Sequence, residues 1–113
     1  MNVHDRKALH SIARFLRDGI DFTSGLSYEE FQRDAKTVSA SAFVIGQIGE
    51  HAGRLSQDLL VAHPQIPWKA IRGMRNRIVH EYDYVDFLVV WQTLTVDFPV
   101  VLGQVVDLLA EDE

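Results

Sequence analysis

The sequence predicts an all-α fold, a four- to five-helix up-and-down bundle formed by a single domain over residues 1–113. Apolar residues recur at spacings of three and four along nearly the whole chain, which is the helical period. No segment alternates clearly between apolar and polar residues as a strand would, the Val-rich stretch 84–90 being the least clear. A chain of 113 residues suits one domain but buries only roughly 60–68% of its unfolded surface, so additional burial through oligomerisation would help.

The first two predicted helices follow from one apolar stripe each. The first runs from about residue 3 to 20, with Gly19 and Gly25 flanking its exit. Ser27 followed by Glu30 is a capping box, which opens the second helix. This helix is expected to be long and to end near Ala62, before a His-Pro break. Its seam has the spacing of a helical bundle and comprises Phe31, Ala35, Val38, Ala42, Ile45, Gly49 and Ala52.

Three glycines lie on neighbouring turns of this second helix: Gly46, Gly49 and Gly53. Each interior glycine costs about 1 kcal/mol of helix stability relative to alanine. Their clustering therefore predicts the close approach of another backbone. That backbone belongs either to a helix of the same chain, which is favoured, or to a second copy.

The third helix is predicted from Pro67 to Glu81, because proline is well suited to a first helical turn. A connector over residues 82–85 follows, with Asp83 as the expected N-cap of the last helix. That last helix has an apolar stripe beginning at Phe87. Pro99 should kink it or begin a new segment.

Composition excludes several classes of protein. The net charge of −5 argues against a surface generally adapted to nucleic acid, and the absence of cysteine excludes disulfides and thiolate metal sites. We find no signal-peptide pattern and expect no apolar run long enough to span a bilayer, which favours a cytoplasmic protein. One local basic stretch stands out, with Lys69, Arg72, Arg75 and Arg77 within nine residues.

This basic stretch leads into the most informative motif, Arg-x4-His-x-Tyr, formed by Arg75, His80 and Tyr82. At 100° per residue, Arg72, Arg75, Asn76 and His80 share one polar arc of roughly 140° on the third helix. Arginine grips phosphates well, and histidine exchanges protons near neutral pH. Because Arg75 and His80 lie at the two edges of the arc, a second helix related by a two-fold axis would complete one cleft.

The residue types suit metal-independent RNA cleavage, in which the 2′-hydroxyl attacks the adjacent phosphorus. His80 would transfer protons, Arg75 would stabilise charge on the phosphate, and Asn76 would orient His80 or donate to the phosphate. From spacing alone, a solvated polar helix face carrying one Arg and one His is the more common interpretation.

Taken with its surroundings, the motif resembles the HEPN (higher eukaryote and prokaryote nucleotide-binding) superfamily, above all the HepT-type toxins paired with MNT nucleotidyltransferase antitoxins. The resemblance spans nearly the whole chain. It rests on Ile48-Gly-Glu50, on Pro64-Gln-Ile-Pro67-Trp68, on the segment 71–82 that contains the motif, and on the apolar helix with Trp91 and Phe98-Pro99.

This resemblance implies a homodimer with its cleft at the interface and a ribonuclease that needs no metal or other cofactor. By position, Arg75 and His80 match the family's catalytic pair, and Asn76 matches the polar residue that follows the arginine. Tyr82 matches a tyrosine that the antitoxin can modify with AMP, which would block RNA by bulk and charge. Arg72 is expected to bind or steer phosphate.

Other interpretations stay open. His80 could be only a helix-capping histidine, Tyr82 only a packed aromatic, and Glu50 either faces the site or lies on the surface. The four other histidines are expected to be structural or exposed, and Trp68 to lie in the core. Two alternatives to a ribonuclease remain for the whole protein. One is a non-catalytic module that binds a nucleotide or a protein, and the other is a plain helical dimerisation domain.

Overall fold

Six helices make up the part of the chain that the structure describes. This computed structural model describes residues 1–79 and 86–112, without the side chains of residues 77–79. The helices are α1 (Val3–Thr23), α2 (Tyr28–Arg33), α3 (Ala35–Ala52), α4 (Gln57–Ala62), α5 (Trp68–Val79) and α6 (Phe87–Glu111). The predicted all-α bundle is confirmed: α3 packs between α1 and α5, and α1 also packs against α6.

The single long second helix predicted from the sequence is wrong, because α2, α3 and α4 replace it. The capping box of Ser27 and Glu30 does open α2. Asp34 then leaves the helical conformation (φ −101°, ψ 88°), and its side chain accepts a hydrogen bond from the Thr37 amide to start α3. Ser56 caps α4 in the same way by accepting from the Leu59 amide. Capping side chains thus interrupt a periodic pattern that looked continuous.

The start of α4 is fastened to α1 by a buried carboxylate. Asp5 is only 1% exposed, and it accepts hydrogen bonds from both the amide and the hydroxyl of Ser56. A buried carboxylate is tolerated when it is hydrogen-bonded in this way. This contact, which spans 51 residues of sequence, fixes the turn that follows α3.

The last helix begins at Phe87, with Asp86 as its N-cap in place of the predicted Asp83. The Asp86 carboxylate accepts from the amides of Leu88 and Val89. Asp83 itself lies outside the described residues. The predicted interruption at Pro99 takes the form of a π-helical turn over Thr93–Asp97, where the Phe98 amide donates to the Thr93 carbonyl. This wider turn lies directly before the proline, which has no amide to continue the α-helical ladder.

The contact between α1 and α6 forms much of the core. Phe98 is fully buried, and a Cβ at Gly19 would clash with its ring, lying 2.8 Å from Cδ2. The prediction that Gly19 flanks the exit of α1 is therefore wrong. Gly19 lies inside the helix, and its lack of a side chain leaves room for the Phe98 ring. Trp68 is buried as predicted, and its indole N–H donates to the His63 carbonyl at 2.9 Å.

By length and composition, α6 could cross a membrane, contrary to the expectation that no apolar run would suffice. It is the one such helix within residues 1–79 and 86–112. Leu94, Phe98 and Val105 are fully buried in the bundle core, and buried helices of soluble proteins pass the same test of length and composition.

Candidate active site

α5 presents a polar face to solvent, as its sequence predicted. Arg72, Arg75 and Asn76 are exposed, whereas Ile71 and Met74 on the other side are buried in the core. The side chain of Ile78 lies outside the described part of the chain. The burial of Ile71 and Met74 fixes the rotation of α5, and the three polar site candidates consequently share its open side.

The position of α5 against α3 is set by one glycine. A Cβ at Gly49 would lie 2.7 Å from the Cβ of Arg75 and 3.2 Å from its backbone nitrogen. The predicted close approach is thus confirmed at Gly49, and the approaching backbone belongs to the same chain. A Cβ at Gly46 would meet nothing within 4 Å, and one at Gly53 would meet only carbonyls of the preceding turn. Of the three glycines predicted to allow a close approach, only Gly49 is in close contact with another helix.

Glu50, the residue after Gly49, forms an ion pair with Arg75. The distance between Glu50 Oε1 and Arg75 Nη1 is 2.7 Å, which is the length of a strong charge-assisted hydrogen bond. Arg54 lies in the turn just after α3, with its Nη2 4.0 Å from Glu50 Oε2. Glu50, which the sequence left between the site and the surface, therefore contacts the candidate catalytic arginine directly. The signal that could have found it is its place beside the glycine of closest approach.

Two of the predicted site residues, His80 and Tyr82, lie outside the described residues. The structure brings Arg72, Arg75, Asn76 and Glu50 to one region, formed by the exposed side of α5 and the adjoining edge of α3. This region combines two guanidinium groups, an amide and one carboxylate. Such a set can bind a phosphate and orient the arginine that binds it.

The remaining histidines have the structural or exposed positions expected of them. His4 and His10 are exposed on α1, and the His63 carbonyl accepts from Trp68. His51 stacks on Phe15, and partial burial, followed by the nearby Arg54 and Arg14, lowers its pKa below the usual 6.5. Within the described ranges, no group of three or more His, Asp or Glu side chains could hold a metal ion.

The sequence model of one protein family, described as "Ribonuclease HepT-like", matches residues 8–108 of this chain. The chain belongs to the HepT-like ribonuclease family. The match covers every helix that contributes to the site. The resemblance to HEPN proteins inferred from the motif is thereby confirmed at the level of the family.

Named relatives agree with this membership of the HepT-like family. "Putative RNase MJ1216" of Methanocaldococcus jannaschii is 35% identical over 100 residues, covering 88% of this chain and 83% of the relative. "Probable ribonuclease HepT" of Thermococcus cleftensis is 33% identical over 96 residues, covering 85% and 87%. "Putative RNase TTE0752" of Caldanaerobacter subterraneus is 31% identical over 94 residues, covering 83% and 84%. No solved structure matches the chain.

Proposed function

We propose that this HepT-like protein is a metal-independent endoribonuclease that acts as the toxin of a toxin–antitoxin pair. The observation that carries the proposal is an exposed arginine, Arg75, held by Glu50 at the first position of an Arg-x4-His motif in a chain of a ribonuclease family. An exposed, oriented guanidinium is what a phosphodiester-cleaving site requires of its anion-binding group.

The proposed reaction is an internal transesterification of RNA. The 2′-hydroxyl loses its proton and attacks the adjacent phosphorus, the bond from phosphorus to the 5′-oxygen breaks, and that oxygen takes up a proton. The products are a 2′,3′-cyclic phosphate and a 5′-hydroxyl. His80 performs one or both proton transfers, which typically contributes 10²–10⁴-fold. Asn76 orients His80 or donates to the phosphate.

Arg75 can bind the phosphate without leaving Glu50. A guanidinium has five N–H donors, and the contact with Glu50 uses Nη1. Because the Arg75 side chain is 49% exposed, the other donors can reach a ligand. Glu50 acts here as a positioning residue, which restricts the rotamers of a long side chain before RNA binds. Arg72, one turn earlier on the same face, steers or contacts a neighbouring phosphate.

The proposed active unit is a homodimer. On an ideal helix, Arg75 and His80 lie at opposite edges of the polar arc, so two copies of α5 facing each other would form one cleft from both chains. The modest core of a 113-residue chain also favours such additional burial. The proposed location is the cytoplasm, where RNA and the antitoxin are present.

The activity is tested by incubating the pure protein with RNA in the presence of EDTA, beside Arg75→Ala and His80→Ala. Cleavage by the wild type alone, with cyclic phosphate ends, is expected. Undiminished cleavage by both variants would overturn the assigned roles. No cleavage by any form, combined with ATP binding in calorimetry, would identify a non-catalytic nucleotide-binding module instead.

The proposed regulation is the transfer of AMP to Tyr82 by an MNT-type nucleotidyltransferase antitoxin. The added phosphate carries negative charge and the nucleoside adds bulk, and both would hinder RNA beside the motif. Intact mass after co-expression with such an enzyme should reveal added AMP that is absent from Tyr82→Phe. An adduct that persists in this variant would place the modification elsewhere.

A further inference from the structure

An aromatic cluster flanked by arginines lies on the surface formed by α1 and α3; we refer to it as the aromatic patch. It comprises Phe15, Phe43 and His51, with Arg14 and Arg54 beside them. The Phe15 ring is stacked with His51 at a centroid distance of 5.8 Å and meets Phe43 edge to face at 6.2 Å. The Arg14 guanidinium carbon lies 4.8 Å from the centre of the Phe15 ring.

Phe43 is the unusual member of the aromatic patch, because 59% of this large apolar side chain is exposed. Phe15 is partly buried and packs against the core, so the patch is anchored and presents Phe43 to solvent. Partial burial lowers the pKa of His51, which favours its neutral form, so the positive charge of the patch comes mainly from the arginines.

The aromatic patch is continuous with the candidate active site along α3. His51 follows Glu50, which binds Arg75, and Arg54, in the turn just after α3, lies beside the same carboxylate. Phe43 precedes Glu50 by seven residues, which is roughly 10 Å along a helix. A strand of RNA with one phosphate at Arg75 would therefore pass over the patch within a few nucleotides.

We propose that the aromatic patch binds unpaired nucleobases of the RNA substrate, with a base stacked on Phe43 and the flanking phosphates contacted by Arg14 and Arg54. Aromatic rings beside cations are the usual means of holding single-stranded nucleic acid, since every base has a stacking face. Bases within a duplex are already stacked on one another and are not free to do this. The proposal rests on the proposed ribonuclease function and names its substrate as single-stranded RNA.

The test is the binding of a short single-stranded RNA that carries 2-aminopurine and 2′-O-methyl groups, which remove the proposed nucleophile. The fluorescence of 2-aminopurine falls when the base stacks. Wild-type protein should quench it, and Phe43→Ala should raise Kd by roughly 5- to 100-fold and lose the quenching. Phe43→Trp should restore both properties, and Phe43→Leu, which is apolar but cannot stack, should not.

Val100→Ala is the matched control, because Val100 is an apolar residue of α6 that is 61% exposed and takes no part in the ring contacts of the aromatic patch. It should leave the Kd and the quenching unchanged. A duplex of the same sequence should respond to none of these variants. Equal Kd and quenching for wild type and Phe43→Ala would overturn the proposal. A lower mass of Phe43→Ala than of wild type in light scattering would also overturn it, because Phe43 would then contact a second copy of the chain.

Cleavage kinetics separate this inference from the proposed function. With cleavable single-stranded RNA, Phe43→Ala should raise KM and leave kcat near that of the wild type. Active wild type with an unchanged KM in Phe43→Ala would overturn the aromatic patch alone. Wild type that binds and quenches 2-aminopurine RNA but never cleaves RNA would overturn the nuclease function and support the patch.

Discussion

The contacts α1–α6 and α3–α5 are both made possible by a glycine, but they bring together different groups. At Gly19 the incoming group is the fully buried Phe98 ring. At Gly49 it is the backbone and Cβ of Arg75, whose guanidinium extends to the surface and pairs with Glu50. One contact closes the apolar core, and the other places a charged group at its edge.

This difference separates stability from positioning. A buried ring contributes through apolar area removed from water and through dense packing. An ion pair between side chains that are 49% and 37% exposed contributes little to stability, because solvent screens it. We therefore expect changes in the first contact to alter the free energy of unfolding most, and changes in the second to alter catalysis.

The largest loss of stability is expected for Phe98→Ala, about 3–5 kcal/mol, because it removes a fully buried ring and leaves a cavity against Gly19. Urea unfolding followed by circular dichroism measures it. Phe87→Ala on the same helix, where the side chain is 38% exposed, is the control and should cost much less. Equal losses for the two variants would contradict the role of Phe98 in closing the core.

Gly49→Ala and Gly46→Ala form the next test, since they introduce the same methyl group one turn apart. At Gly49 the methyl collides with Arg75, which should cost about 1–3 kcal/mol through overpacking and lower RNA cleavage by displacing the arginine. At Gly46 the methyl meets nothing, so higher helix propensity should raise stability by up to about 1 kcal/mol. Unfolding curves and cleavage rates that are alike for both variants would show that α3 and α5 do not touch at Gly49.

Glu50→Gln should change stability by less than about 1 kcal/mol, because the ion pair that it removes is partly exposed. If Glu50 positions Arg75, the cleavage rate should nevertheless fall on the order of tenfold, equivalent to about 1.4 kcal/mol in the barrier. Kinetics should place the loss mainly in kcat. Glu111→Gln, which neutralises an exposed acid at the end of α6, serves as the control for net charge and should keep the wild-type rate.

The smallest effect is expected from replacing His51, and it concerns how the free energy of unfolding depends on pH. The pKa of His51 is lowered in the folded protein, first by burial and then by Arg54 and Arg14, so the unfolded chain takes up this proton more readily. Its contribution to stability is therefore complete above pH 6.5 and is lost as the pH falls below that value toward the folded pKa. Free energies of unfolding between pH 7.5 and 5 should decline less steeply in His51→Gln than in wild type. His10→Gln, which alters an exposed side chain, should follow the wild-type slope.

The sequence predicted the helical class, the capping box of Ser27 and the amphipathic character of α5, because each depends on residues within a turn or two of one another. It failed in two places, at a local cap that the apolar pattern does not reveal and at a contact between residues far apart in the sequence. The break at Asp34 preserves the apolar spacing of the seam, so periodicity alone gave no sign of it. The hydrogen bonds from Ser56 to Asp5 join positions 51 residues apart, and no local pattern reports them.

For the candidate site, the sequence by itself determined the Arg-x4-His-x-Tyr motif, the family to which it points, and the polar face that carries Arg72, Arg75 and Asn76. These follow from residue type and helical period, which are local properties. Only the tertiary structure decided which of three similar glycines receives α5, that Glu50 binds Arg75, and that Phe43 lies exposed beside Phe15 and His51. The physical reason is that packing between helices depends on their relative rotation and separation, which all the side chains of the core set together.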